Sequence, residues 1–262
     1  MSLATQIRTQ LQSLNLPPPS QPWLQTLITA RTPPPPLPSL VMTAKTRLLA
    51  SDLTTPGLLD AAATTPSACF PPDLVAVTTT GGPSSSSSSP ALGTREARLA
   101  RDVYAQVVDL EDLSRSRWEQ VEELEAVERG ERTRGREVIR LPVNSSGNGD
   151  DGDGNGAVGG GQQQSASSRN ATHRLVLQDC KGQKAFALEL TRIPRISIGT
   201  LNIGEKVLLR KGTVVARGMI MLEPSTCVFL GGKVEPWQKA WVEGRLARLK
   251  EAVGPGQGNA AG

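Results

Sequence analysis

Histidine is almost absent from this sequence: His173 is the only one in 262 residues. A Ser-His or Cys-His catalytic pair therefore has a single position for its base, at the start of an expected strand, with no partner that the sequence points to. Cysteine is scarce too. Cys69, Cys180 and Cys227 are too few and too scattered for a zinc site, and their odd number argues against a disulfide framework, so a reducing compartment is expected. Aromatic residues make up 3% of the chain, which leaves little for a base-stacking platform. No apolar run approaches membrane-spanning length and no signal-peptide core is present, so no membrane association is expected. Acid is missing from residues 1–51, which hold Arg8, Arg31, Lys45 and Arg47. This balance superficially resembles an organelle transit peptide, but the proline clusters at 17–19 and 33–36 interrupt any continuous amphipathic helix.

Several near-motifs also fall short. Asp151-Gly152-Asp153-Gly154-Asn155-Gly156 copies the first half of a calcium loop, but Gln162 stands where the loop needs a glutamate and no helices flank it. Gly231-Gly232-Lys233 lacks the spacing of a phosphate loop, and it suits a sharp exit from a strand into a helix. The sequons at Asn144 and Asn170 carry no meaning without secretion. No catalytic constellation, metal site or cofactor site is found, and no small-molecule substrate is expected.

What is present divides unevenly. With 26 glycines, 20 prolines and tracts of serine and threonine, roughly a third of the chain cannot bury apolar surface. About 150 residues remain to form a core, enough for one small β domain with a helical cap. Residues 173–262 carry 14 basic and 7 acidic side chains, whereas residues 96–143 carry 9 and 12. A basic β domain suits nucleic acid or an acidic protein face, and solvated surface charge gives the same count.

Along the chain, Leu3, Ile7, Leu11 and Leu14 share a helical face behind the N-cap Ser2. A second helix starts at Ser20 with Pro22 in its first turn, and a third spans 39–53 on Leu40, Val41, Ala44, Leu48 and Leu49. None is stable alone. These helices make an N-terminal domain over 1–53. A low-complexity linker follows over 54–94, holding one apolar island at 69–77 that is expected to dock back as an extended segment. The segment 96–113 is ambiguous: Leu99, Val103, Val107 and Leu110 fit a helical period, while 103–113 also alternates as a strand, with Val103, Ala105, Val107 and Asp109 on one side. Residues 144–168 read as disordered. Strands are expected at 173–179, 184–190, 205–211 and 213–222, the last continuing through Cys227-Val228-Phe229, before a helix at 236–251 and a disordered tail at 252–262. With a strand at 103–113, the count is five antiparallel strands and a helix, as a small OB-type barrel requires.

These residues resemble the family of RecQ-mediated genome instability protein 1. The likeness rests on Leu175-Val176-Leu177-Gln178-Asp179-Cys180-Lys181-Gly182, on Gly204-Glu205-Lys206-Val207-Leu208-Leu209, and above all on Gly218 through Pro224 and Leu230 through Glu235. Pro22-Trp23-Leu24, Leu48 through Leu53, and Tyr104-Ala105-Gln106-Val107-Val108 extend it upstream, and the last of these settles 103–113 as the first barrel strand. The resemblance touches most of the ordered chain, with its specificity concentrated in 172–251. Three features depart from the family pattern. The linker is long, Cys180 and Lys181 interrupt the usual Asp-Gly turn, and the chain stops soon after the barrel helix. The last is similar to the short fungal-type version, in which no small second OB partner is expected.

The resemblance implies a mostly β fold with a helical preface. A three-helix bundle precedes a five-stranded OB-fold domain over 95–251, with an insertion at 114–171, disordered over 144–171, between strands 1 and 2. It also implies a non-catalytic nuclear subunit, with topoisomerase III and a RecQ-family helicase as partners and DNA reached through the complex. In the family the insertion biases the topoisomerase gate to promote dissolution of double Holliday junctions. Val138, Ile139, Leu141 and Pro142, the clustered apolar residues of the insertion, then contact the gate or else pack back on the barrel. Arg132, Arg134 and Arg136 are candidates for phosphate contacts. Trp237 and Trp241 on the last helix either cover the barrel end or leave an indole exposed as a partner anchor. The alternative function is an autonomous single-stranded nucleic-acid binder, for which the strand 2–3 face offers only Phe186.

Overall fold

The computed structural model describes residues 2–65, 68–71, 96–130 and 171–254. In chain order the elements are α1 (Leu3–Ser13), α2 (Gln21–Thr29), α3 (Leu37–Ala50), a 3₁₀ turn (Ala61–Thr64), β1 (Glu96–Arg98), β2 (Val103–Asp112), α4 (Arg117–Glu128), β3 (His173–Asp179), β4 (Lys184–Glu189), β5 (Lys206–Leu209), β6 (Val214–Ala216), β7 (Met219–Leu222), β8 (Cys227–Gly231), α5 (Glu235–Glu243) and α6 (Arg245–Val253). Two compact units result. One joins Met1–Arg115 with Ala171–Arg245, and the other joins Ser116–Asn170 with Leu246–Gly262.

The helices of the first unit start where their caps dictate. Ser2 Oγ accepts the Thr5 N–H and Ser20 Oγ the Trp23 N–H, each satisfying a donor the first turn leaves unpaired. Ile7, Leu11, Leu24, Leu27, Leu40, Val41, Ala44 and Leu48 then form one buried cluster. Leu14, expected on the apolar face of α1, is 46% exposed. It is the C-cap residue, and the chain turns there to bury Leu16 instead.

The strands form one sheet in the order β1-β6-β7-β4-β3-β2-β5-β8. β7 pairs with β4 and β8 pairs with β5, yet only residues 223–226 separate β7 from β8, so the sheet curls on itself. β2, β3, β4, β5 and the bent strand β7–β8 make the five-stranded OB barrel. The β4–β7 pairing is parallel, which corrects the all-antiparallel expectation. A second correction concerns 213–222, expected as one strand. Arg217 and Gly218 both have positive φ, 51° and 78°, and turn β6 back on β7 as a tight hairpin. Arginine is an uncommon residue at such a turn, where asparagine or aspartate usually precedes glycine.

β2 is strand, as expected, and its pattern explains the ambiguity. Val103, Ala105 and Val107 point into the barrel core, and a register shift between Val107 and Asp109 inserts one extra residue. Leu110 therefore joins the core while Asp109 is exposed. A bulge changes the period from two to three at that point, which produces the helix-like spacing. The opposite face of β2 carries Tyr104 and Gln106 against the helices. Tyr104 packs on the helical cluster, and its Oη donates to the Leu16 carbonyl. The buried Gln106 accepts the Leu53 N–H at 3.0 Å and donates to Asp52 Oδ1 at 2.6 Å and Gln178 Oε1 at 3.2 Å. Beside it, Lys206 is fully buried, and its Nζ donates to the Gly204 carbonyl at 2.6 Å.

Gly231 and Gly232, read as a sharp exit, both have positive φ. At Gly232 a Cβ would stand 2.4 Å from the Leu49 carbonyl oxygen, so a side chain there would push α3 off the barrel. The apolar island is described as far as Pro71. Cys69 and Phe70 are buried, and the Phe70 N–H donates to Asp179 Oδ2, which supports the docking expected of it.

In the second unit, α4 begins with a reciprocal capping box between Ser116 and Glu119. Lys250 Nζ of α6 lies 2.6 Å from Glu125 Oε1 of α4. Trp118, Val121 and Val253 line a hollow of about 270 Å³ beside this ion pair.

Two outcomes test this fold. Gln106→Ala leaves the buried Leu53 N–H without an acceptor, and it should cost about 2–3 kcal/mol in urea denaturation. Burial depresses the Lys206 ammonium to about 8, with Asp52 and Glu205 partly opposing the shift. Between about pH 8 and 10.5 the unfolded lysine holds a proton that the folded one has released, so this residue makes stability rise with pH. Lys206→Met should remove that rise, seen as wild type gaining about 3 kcal/mol relative to the variant across the window.

Candidate partner interface

The long insertion leaves the barrel after β2 and returns before β3, and its two feet are tied together. The Leu113 N–H donates to the Thr172 carbonyl at 2.8 Å. Directly inside this pair lies a buried charged clasp. His173 Nδ1 is 2.9 Å from Glu189 Oε2, Arg192 Nη1 donates to Glu189 Oε1 at 2.8 Å, and the Ile193 N–H donates to the same oxygen at 2.6 Å. Arg192 also donates to the Ile196 carbonyl at 2.6 Å. Burial pushes the Glu189 carboxyl upward, but the His173, Ile193 and Arg192 donors together hold it below the ordinary 4.5. A buried carboxylate with these donors is satisfied, and it fixes His173, the residue at which the chain re-enters the sheet after the insertion.

The open surface around the feet mixes two leucines with Ser114, Thr172 and Thr191. Leu113 is 46% and Leu190 59% exposed, and neither was singled out from sequence. One rung further along the sheet, Arg174 pairs with Glu111, and its guanidinium lies 4.9 Å from the Phe186 ring centroid. Trp237 and Trp241 of α5 are both half-buried against the barrel core. The Trp241 Nε1–H donates to Asp109 Oδ1 at 2.7 Å, using the carboxylate that the β2 bulge turns outward, and the Arg245 guanidinium lies 5.6 Å from the Trp241 ring centroid. Gln238 of the same helix accepts the Ile203 N–H at 2.6 Å. The inner edges of the indoles thus cover the barrel, and their outer edges stay at the surface.

This arrangement of a helical bundle, an OB barrel and an insertion after the first barrel strand has a known counterpart. The family model for "RMI1, N-terminal OB-fold domain" matches residues 80–245, and the one for "RMI1, N-terminal helical domain" matches residues 11–56. The chain belongs to the RMI1 family. RecQ-mediated genome instability protein 1 of Schizosaccharomyces pombe is 32% identical over 150 residues, which is 57% of this chain and 63% of that protein. The protein of the same name from Saccharomyces cerevisiae is 32% identical over 98 residues, 35% of this chain and 39% of its own length. The chain thus spans less than two thirds of either RMI1 relative.

Within this RMI1 frame the OB match runs from the linker through the insertion to the end of α5. The expected gate residues Val138, Ile139, Leu141 and Pro142, the arginines Arg132, Arg134 and Arg136, the tract 144–168 and most of the linker lie outside the described residues. What the structure adds is the rooting of that insertion. Local signals for it were available, since Ser116 and Glu119 stand at capping-box spacing before α4. The clasp was not accessible in the same way, because Glu189 and His173 carry no spacing signature.

The clasp predicts a pH response. A carboxylate with a depressed folded pKa adds stability above about pH 4.5, and that stability is lost as pH falls through the folded value. Glu189→Gln should lower stability by about 1–3 kcal/mol at neutral pH. Its stability curve should also be flatter than wild type below pH 4.5 in urea melts.

Proposed function

We propose that this protein is a non-catalytic OB-fold subunit of a nuclear RecQ helicase–topoisomerase III assembly. It serves genome stability by binding topoisomerase III and biasing its DNA gate toward dissolution of double Holliday junctions. The observation that carries this reading is the match of both RMI1 domains, in chain order, to the helices and the barrel. The two yeast relatives are both named RecQ-mediated genome instability protein 1, which supports a role in the RecQ pathway. The pinned feet of the insertion at Leu113 and Thr172 support a loop presented from a rigid base, as partner recognition favours. Val138, Ile139, Leu141 and Pro142 are its gate-contacting residues, Arg132, Arg134 and Arg136 add phosphate or carboxylate contacts, and the outer edges of Trp237 and Trp241 anchor a partner. The lone histidine is committed to the buried clasp, which supports a role without catalysis. DNA is reached through the assembly.

Co-purification with a topoisomerase III homologue tests the reading. The intact chain should be retained, and deletion of residues 132–142 should weaken retention by about tenfold or more. Retention unchanged by the deletion would remove the gate-loop assignment, and no retention of the intact chain would overturn the function. Tight single-stranded DNA binding by the isolated chain, falling steeply with salt, would favour an autonomous nucleic-acid binder.

A further inference from the structure

Two of the three cysteines meet although 111 residues separate them. Cys69 Sγ and Cys180 Sγ are 3.5 Å apart, and both thiols are buried, at 4% and 8% exposure. Neighbouring hydrogen bonds hold each chain in place. The Phe70 N–H, next to Cys69, donates to Asp179 Oδ2, while Asp179 Oδ1 accepts the N–H groups of Lys181 and Gln183 on either side of the β3–β4 turn. The Asp179 carboxylate therefore sets the two cysteine-bearing backbones side by side. Cys180, whose Sγ donates to the Ala63 carbonyl at 3.5 Å, also lines an open cleft of about 550 Å³ together with Ser20, Leu53, Thr54, Gly57 and Thr64, which puts this member of the pair next to solvent. Cys227 is buried in β8 and contributes to the barrel core.

We propose that Cys69 and Cys180 form a reversible thiol–disulfide pair, which on oxidation by a low-molecular-weight disulfide staples the segment following the helical domain to the β3–β4 turn. The Cys180 thiolate, approached through the cleft, attacks one sulfur of glutathione disulfide. The S–S bond of the reagent breaks, and one glutathione thiolate departs and takes up the proton released by Cys180. The Cys69 thiolate then attacks Cys180 Sγ, forming the protein disulfide and releasing the second glutathione, which takes the Cys69 proton. Two electrons pass from the protein thiols to the reagent, and the sulfurs close from 3.5 Å to about 2.05 Å.

The surroundings make this step slow at neutral pH. Burial pushes Cys69 up to about 12, reinforced by Cys180 and by the charge of Asp179, with Lys181 opposing. Burial raises Cys180 as well, and the Asp179 charge adds to this, while the Cys69 S–H and the Lys181 charge oppose it; its position on the cleft makes it the first to react. Because the thiolate is the nucleophile, the rate should climb by about tenfold per pH unit over pH 7–9.

Incubating the full chain in glutathione redox buffers, alkylating the free thiols and mapping non-reduced peptides by mass spectrometry tests the pair. The expected product links Cys69 to Cys180 and leaves Cys227 as a free thiol. Its melting temperature should be about 5–10 °C higher and return to the starting value with dithiothreitol. The shift should survive Cys227→Ser and vanish in Cys69→Ser and Cys180→Ser. The peptide map of the unaltered protein decides the matter even where a variant folds poorly. Linkage that appears only in urea, linkage through Cys227, or a Cys69–Cys180 link with no thermal shift would overturn the proposal.

Discussion

The first unit turns on one neutral amide. Gln106 sits on β2, the strand whose inner face lines the barrel and whose outer face meets the helices, and its side chain is bonded to Leu53, Asp52 and Gln178 at once. A buried amide left partly unpaired costs as much as the net gain of one or two hydrogen bonds, so these three partners fix where the helical chain ends against the sheet. The surrounding contacts conform to that placement. Tyr104 reaches the Leu16 carbonyl, Lys206 is sealed beneath, and α3 approaches closely enough to require glycine at position 232. Barrel and helices form two apolar clusters, and both β2, through Tyr104, and β8, through Leu230, reach from one to the other.

The same strand roots the part of the chain that we assign to partner binding. The β2 bulge brings Leu110 into the core and turns Asp109 outward to hold Trp241. Four residues beyond Asp109, Leu113 closes the base of the insertion with Thr172, over the His173–Glu189–Arg192 clasp. A long insertion can vary without disturbing the barrel when its feet are bonded to each other and one of them adjoins a buried network, because the loop then adds no strain to the sheet.

Much of this architecture was legible from residue spacing. The cap at Ser2, the helix start at Ser20, the strand at 173–179 and the Gly231-Gly232 exit all read correctly, because each depends on near neighbours. The bulge in β2 imitated a helical period and made 96–113 ambiguous, although the strand reading held. Two misreadings have physical causes: Arg217-Gly218 hid a hairpin behind an unusual turn residue, and Leu14 fell just past the point where α1 ends. The capping box of α4 was present in Ser116 and Glu119 but stood within a dense run of charge that offered no apolar face, and it went unread.

What the sequence by itself determined is the order of the parts: a helical preface, a first strand, an insertion, the remaining strands and a closing helix. Local hydrophobic period, capping and glycine placement specify such elements within a few residues, and the family pattern follows from them. Only the tertiary structure decided which polar groups are spent on one another. Gln106 finds Leu53 across 53 residues, Cys69 finds Cys180 across 111, and Trp241 finds Asp109 across 132. These pairings depend on how the sheet curls and where its register shifts fall, and no spacing along the chain encodes a meeting between residues that far apart.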